Sequence, residues 1–250
     1  MVDERILQRR QRVRSERRQR RLRRTVLLAV LVALGVLGAI VERSWLVALD
    51  EVRVVGTDRL SPAGVREAAD LPLGTSTLRL RLGRAEERVA ALPLVDSVTI
   101  RRVDPLTVEI AVIEREPSIV VVAGRRAVLV DDEGVLLLPG REEGLLAIHL
   151  PAPTPLPALG QAASGDTALG NAVAFHQQLS GPLRSEIVLY RASGPDDLEA
   201  ELASGVRVLL GEAVRVDEKV RALGAVLEDL GSQEVSAIDV RAPSAPVVIP

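Results

Sequence analysis

From Thr25 to Val41 the chain reads TVLLAVLVALGVLGAIV, seventeen residues without a charge, and this run follows a 24-residue stretch with eleven arginines set against Asp3, Glu4 and Glu16. As a helix the run reaches ~26 Å, and with Ser44, Trp45 and Leu46 extending it into the interface it is long enough to cross a bilayer. The pattern predicts a single transmembrane helix over residues 25–46. The basic excess on its N-terminal side, a net of about +8, places residues 1–24 in the cytoplasm and the chain beyond Leu46 outside, a single-pass type II arrangement. Arg23 and Arg24 on one side and Trp45, the sole Trp, on the other are expected at the membrane interface. Arg23-Arg24-Thr25 looks a little like a twin-arginine export signal, but no small-x-small cleavage pair follows between Gly38 and Ala48, so the segment is read as an anchor. A buried core helix rarely follows so many arginines, and a nucleic-acid-binding tail is a costlier explanation than retention at an anionic leaflet.

Beyond the run, EVRVV at 51–55 alternates and is closed by Gly56-Thr57, predicting a short strand and turn. Ser61-Pro62 has the N-cap and first-turn residues of a helix continuing through Ala69, and RAEERVAAL at 84–92 predicts a second helix with Ala85, Val89 and Leu92 on one face. Alternation over 95–103 and 106–113, broken by Asp104-Pro105, predicts a hairpin. The order is β-α-α-β-β, ending at Glu114-Arg115-Glu116-Pro117. After Pro117 come short strands at 119–122, 127–130 and 135–138, a helix at 166–179, strands at 186–191, 198–202 and 206–210, a helix at 215–230 and a final strand at 235–241. The fold class is therefore α+β: a membrane-proximal β-α-α-β-β module, then a mostly antiparallel β-rich domain with one or two helices.

Composition narrows what these domains can do. With the basic tail removed from the whole-chain charge of −2, about −10 remains on the outer portion, which is unsuited to nucleic acid. One Trp, one Tyr and one Phe leave the cores to Val, Leu and Ala and exclude base-stacking platforms, while the absence of Cys excludes thiolate chemistry and Cys-ligated metals. Lys219 is the only lysine, and beside so many arginines it is read as coding bias.

Catalytic constellations are not found. His149 and His176 have no ligand-spaced partners and are read as structural, Asp131-Asp132-Glu133-Gly134 lacks the alternation of a calcium loop and is read as a hairpin turn, and no serine sits in a G-x-S-x-G elbow. The expectation is a non-enzyme with no cofactor, no metal and no small-molecule substrate.

Val52-Arg53-Val54-Val55-Gly56 with Leu60-Ser61, the stretch Leu92-Pro93 to Val108 closing on Glu114-x-Glu116-Pro117, the Asp131 to Val135 turn, Leu156-Pro157-x-Leu159, Gly205 to Gly211, Glu218-Lys219-Val220 and Ile238-Asp239-Val240-Arg241-x-Pro243 together resemble the FtsQ/DivIB family of bacterial cell-division proteins, whose first module is a POTRA domain. The resemblance implies a basic tail at 1–24, a span at 25–46, a POTRA domain at 50–117, a β-rich FtsQ-type domain at 118–243 and a C-terminal tail at 244–250. It further implies a non-enzymatic scaffold of the divisome at the division septum of the cytoplasmic membrane, linking early and late division proteins and helping to control septal peptidoglycan synthesis. Implied partners are FtsB/FtsL-like proteins, with others through the POTRA domain. The family's use of its last strand for partner binding maps here to Val235–Val248, most directly to Ile238, Val240, Arg241 and Ala242, the last standing where some members have an aromatic anchor. Because Pro243 and Pro246 cannot donate to a ladder, the strand-accepting edge is expected within Val235–Ala242. The alternative is a POTRA-bearing chaperone or exported binding protein unrelated to division.

Overall fold

The computed structural model describes residues 24, 26–38, 47–179, 181–231, 233 and 235–250. Residues 26–38 are helical and exposed along their whole length, as is Arg24. Among the described residues no helix is long and apolar enough to cross a membrane. Arg23, Trp45 and most of the basic tail lie outside the described residues.

The first module is built as its pattern predicts. Strand β1 (Glu51–Val55) is followed by helices α1 (Pro62–Ala69) and α2 (Leu82–Ala90), then by the hairpin β2 (Val95–Arg102) and β3 (Thr107–Glu114), in the sheet order β1-β3-β2. β1 runs parallel to β3 with Val52 opposite Val108, and β2 runs antiparallel to it with Ile100 opposite Ile110. Ser61 caps α1 by accepting the Gly64 N–H at 3.0 Å. Val65 and Ala69 of α1 and Ala85 and Val89 of α2 bury against the β3 face that carries Val108 and Ile110. α2 starts two residues before its expected position, because Leu82 packs on this core and brings the first turn with it. Gly56 has φ +81°, and a Cβ there would fall 2.1 Å from the Val112 carbonyl oxygen, so the glycine that closes the opening motif is required both sterically and conformationally.

The second domain is one nine-stranded sheet, β12-β11-β10-β9-β8-β7-β4-β5-β6. It comprises β4 (Ile119–Ala123), β5 (Arg126–Val130), β6 (Leu136–Pro139), β7 (Leu146–Leu150), β8 (Ile187–Gly194), β9 (Asp197–Leu202), β10 (Arg207–Leu209), β11 (Ala237–Asp239) and β12 (Val247–Ile249). Helices α3 (Ala168–Gln178), α4 (Pro182–Glu186) and α5 (Val216–Leu230) complete it. Five of its eight strand pairs are antiparallel; β4–β7, β7–β8 and β10–β11 are parallel, with α3 and α5 lying in the second and third of these connections. α3 packs on β7, β8 and β9 and touches α5, and the shared core is aliphatic apart from Phe175 and Tyr190.

The two domains meet at Glu114 and Arg115. The Glu114 carboxylate accepts the backbone N–H groups of Asp58, Arg59 and Leu60 at 3.0, 2.9 and 2.9 Å. Arg115 bonds Asp131 at 2.7 Å and Glu133 at 2.9 Å in the β5–β6 turn and lies 3.7 Å from Asp96 in β2. Asp131 also accepts the Val135 N–H at 2.8 Å, which makes the acidic cluster a turn fastened to the joint. A bidentate Arg59–Glu142 pair at 3.1 and 3.3 Å adds a second tie.

Burial pushes the Glu114 carboxyl up, but the three N–H donors and Arg59 together outweigh it and hold it below the usual carboxylate range. A carboxyl whose folded value is depressed contributes stability that is present above its unfolded value and is lost as pH falls through the folded one. Glu114→Ala in the full chain should therefore cost about 2 kcal/mol at neutral pH by the worth of hydrogen bonds to a charged group. Thermal unfolding as a function of pH checks this: the gap to the unaltered chain should close as the pH falls below the ordinary glutamate range, and a gap independent of pH would refute the carboxylate's role.

Candidate partner-binding edge

A sheet of nine strands has two ends, and each end exposes unpaired backbone N–H and C=O groups unless something covers it. At the β6 end, the segment that follows the Pro-rich stretch does so. Leu136 donates to Gln161 at 3.1 Å and accepts from Gly160 at 2.7 Å, Ala163 donates to Gly134 at 3.0 Å, and Val135 bridges Ala162. Gly160 adopts φ +83° in this cover, which accounts for a glycine after Leu159. At the other end β12 pairs with β11 on one side, and among the described residues no strand pairs with its other side.

The open edge of the sheet is thus β12 and not the stretch Val235–Ala242 that the sequence predicts. β11 lies between β10 and β12, with Ile238 opposite Val208 on one side and Val248 on the other, so its backbone is already engaged. Ile238 and Val240 are fully buried in the core and present no side-chain surface. The prolines fail as ladder stops because the chain reverses between them. Ala245 donates to Ala242 at 3.0 Å to close a turn, Pro246 precedes the ladder, and only Val247, Val248 and Ile249 need to pair. Ala242 sits exposed at this turn.

Arg241 is exposed and clamps the chain leaving β11. Its backbone N–H and Nε donate to Asp239 Oδ1 at 3.0 Å each, and Nη2 donates to Oδ2 at 2.6 Å. The Arg241 guanidinium holds the Asp239 carboxyl below its ordinary range against the opposing effect of burial. Val240 donates to Leu209 at 3.0 Å, continuing the parallel ladder by one bond, and Ser236 ties the far end of β12 with its N–H and Oγ on the Ile249 carbonyl at 2.9 and 3.1 Å.

Two polar residues support this short-stranded end from beneath, and the sequence reading gave neither a role. Lys219 in α5 is buried and donates to the Leu210 and Glu212 carbonyls at 2.7 and 2.6 Å. Asn171 in α3 donates to Gly211 at 3.0 Å and accepts from Ala213 at 2.6 Å. Together they satisfy the loop 210–213, on which Arg241 rests: a Cβ at Gly211 would come within 3.2 Å of the Arg241 Cγ. Burial pushes the Lys219 ammonium down, with Arg215 adding to the effect. The available signal was a solitary lysine in a chain that otherwise uses arginine, a residue whose compact head can reach two carbonyls in a core that a guanidinium would overfill.

The remaining candidates form no reactive set. His149 lies exposed on the solvent face of β7 between Val122 and Arg191. His176 is buried with Nδ1 3.4 Å from the Tyr190 hydroxyl, and burial, aided by Arg184, pushes its imidazole down to about 4 while raising the phenol. An open depression of about 640 Å³ beside His176 also holds Arg184 and Ser185, but no acid lines it, and the Ser185 hydroxyl donates to the Pro182 carbonyl at 2.7 Å instead of to a base. Among the described residues no group of three or more His, Asp or Glu could hold a metal ion.

Comparison with known proteins agrees with this layout. Residues 47–115 match the family model for the POTRA domain, FtsQ-type, and residues 119–241 match that for the cell division protein FtsQ/DivIB, C-terminal. The chain is 32% identical over 231 residues to the cell division protein FtsQ of Streptomyces coelicolor, covering 87% of this chain and 83% of that one. It is 31% identical over 222 residues to the FtsQ of Streptomyces bingchenggensis, with 87% and 82% covered. The FtsQ of Mycobacteroides abscessus is 27% identical over 223 residues, with 88% and 67% covered.

Lys219→Met keeps the volume but leaves two buried carbonyls without donors, a loss of about 2 kcal/mol. Hydrogen exchange of the full chain should then show faster exchange in 207–213 and 237–249, with the first module unchanged. Equal exchange in the two proteins would remove the loop from the support of this edge.

Proposed function

We propose a scaffold function for this chain, which belongs to the FtsQ/DivIB family of cell division proteins. It acts in division without catalysing a reaction of its own, by holding other divisome proteins together and helping to control septal peptidoglycan synthesis. What carries the reading is the unequal treatment of the two ends of the nine-stranded sheet: β6 is covered by its own chain, and β12 is left open with Val247, Val248 and Ile249 exposed. An extended partner segment can add there as a further strand, with main-chain bonds giving affinity and the apolar side chains giving register. FtsB/FtsL-like proteins are the partners that fit this role. Ile238 and Val240 act in it as buried support, while Arg241 and Ala242 shape the turn that presents β12.

The rest of the arrangement belongs to the same proposal. Residues 25–46 anchor the chain in the cytoplasmic membrane with residues 1–24 inside, Arg23, Arg24 and Trp45 at the interfaces and the domains 50–117 and 118–243 outside, at the septum. Further division proteins bind through the POTRA domain. The three relatives compared are each described as cell division proteins, which supports this reading over an exported chaperone.

The edge is tested by Val247→Lys with Ile249→Lys, which sets no like charge opposite Asp239. Both side chains are exposed, so the melting temperature should hold, while two charges on the acceptor strand oppose addition. Affinity for the FtsB/FtsL-like partner should fall by at least about tenfold, or 1.4 kcal/mol. A folded double variant with unchanged affinity would place the interface elsewhere.

A further inference from the structure

The end of the first module where the chain enters is tied into a knot of backbone bonds. Leu49 donates to Thr75 and accepts from Gly74, both at 2.8 Å, and Asp50 donates to Leu106 at 2.8 Å. The buried Thr77 hydroxyl lies 3.2 Å from the Val47 carbonyl and 2.8 Å from that of Pro105. Arg102 donates to the Thr77 carbonyl at 2.7 Å. The segment 72–80 and the β2–β3 turn are therefore fastened around Val47–Asp50.

Three large apolar side chains lie within two residues of these bonds and point to solvent: Leu73 is 65% exposed, Leu78 63% and Val103 49%. Leu73 adjoins Gly74, Leu78 adjoins Thr77, and Val103 lies between Arg102 and Pro105. Arg79 and Arg81 are exposed in the same stretch, with Asp50, Glu51 and Asp104 exposed acids beside it. None of the three apolar residues is needed for the core that Val65, Val89 and Ile110 form.

Distance decides what covers them. On the membrane-anchor reading proposed above the span ends at Leu46, so no linker separates it from the knot, and one extended residue advances at most ~3.6 Å. Each headgroup layer is roughly 5–7 Å deep. The groups fastened around Val47 must then lie within the headgroup layer or against it. We propose that this end of the POTRA module is a lipid-seating surface, with Leu73, Leu78 and Val103 inserted at the boundary between headgroups and acyl chains of a phospholipid bilayer. Seating there fixes the tilt of the module on the membrane, and through the Glu114–Arg115 joint it fixes the height at which the second domain is held.

Because the chain contains no cysteine, single labels can be placed without background. Leu73→Cys, Leu78→Cys, Val103→Cys and two controls, Ile113→Cys and Leu34→Cys, carry a polarity-sensitive fluorophore in full chain reconstituted into phosphatidylcholine vesicles containing a shallow nitroxide-labelled phosphatidylcholine, or for Leu34, near the middle of the proposed span, one labelled deep in its acyl chain. Ile113 is an equally exposed apolar residue, but it lies at the far end of β3, roughly 20 Å from the knot at the strand rise. The three test positions should be quenched at least about threefold more than Ile113, as insertion 5–10 Å into the interface requires. Quenching at Leu34 with none above the Ile113 level at the three positions would overturn the inference and leave the anchor standing. No quenching at Leu34 would overturn the anchor reading and this inference with it.

Discussion

The ion pairs that tie the two domains together are those of Arg115 with Asp131 and Glu133 and of Arg59 with Glu142, and Glu114 holds the loop that carries Arg59. Glu114 closes β3 by collecting three N–H groups from the β1–α1 loop, and Arg115 turns to the acidic corner between β5 and β6. The sheets themselves do not continue across the joint. Interfaces between domains of one chain default to motion unless they are large and apolar, and the charge-assisted bonds of Arg115 and Arg59 oppose that motion here. With the joint fixed, the chain enters the second sheet at β4, and six strand spacings at about 4.8 Å set the open edge of β12 about 30 Å to one side. The orientation of that edge toward a partner follows from the orientation of the first module.

The aliphatic composition imposes a second constraint. The only Phe and Tyr pack edge to face in the second core with centroids 6.5 Å apart, and His176 joins Tyr190 at 5.9 Å. No comparable aromatic mass is left for the β10–β11–β12 end, where each strand has three residues. Polar ties hold it instead: Lys219 and Asn171 beneath, Asp239–Arg241 at the turn and Ser236 at the last carbonyl. A three-residue edge held this way stays short, which limits indiscriminate pairing with other chains. It still offers a register to a partner able to contribute a longer strand.

The first module was legible nearly to the residue because each element carries its own punctuation: alternation in the strands, Ser61-Pro62 before α1 and Asp104 in the hairpin turn, where its carboxylate accepts the Leu106 and Thr107 N–H groups at 2.8 Å. The second domain was legible in α3, α5 and its turn-flanked strands, but not in the short α4, because Gly181-Pro182 reads as a helix end while Pro182 also fits the first position of a new one. β7 was missed because LAIHL is a short apolar run with no alternation, identity being given to it only by parallel neighbours distant in sequence. β12 was missed because prolines at 243 and 246 read as the end of pairing, although they mark a reversal. That reading set the edge one strand inward, on β11, where Ile238 and the following Val240 are buried. Lys219 was seen but read as composition, since nothing local shows that its ammonium reaches two carbonyls in the loop after β10.

The proposed use of the open β12 edge by a divisome partner leads to one observable at the backbone itself. Amide hydrogen exchange of the full chain, measured with and without its divisome partner, reads each strand separately. Added protection should concentrate at Val247–Ile249, with β6 and its covering segment unchanged, because of the two ends of the nine-stranded sheet β12 is the one left uncovered among the described residues. Protection that leaves Val247–Ile249 unaltered and gathers on another surface would contradict the account.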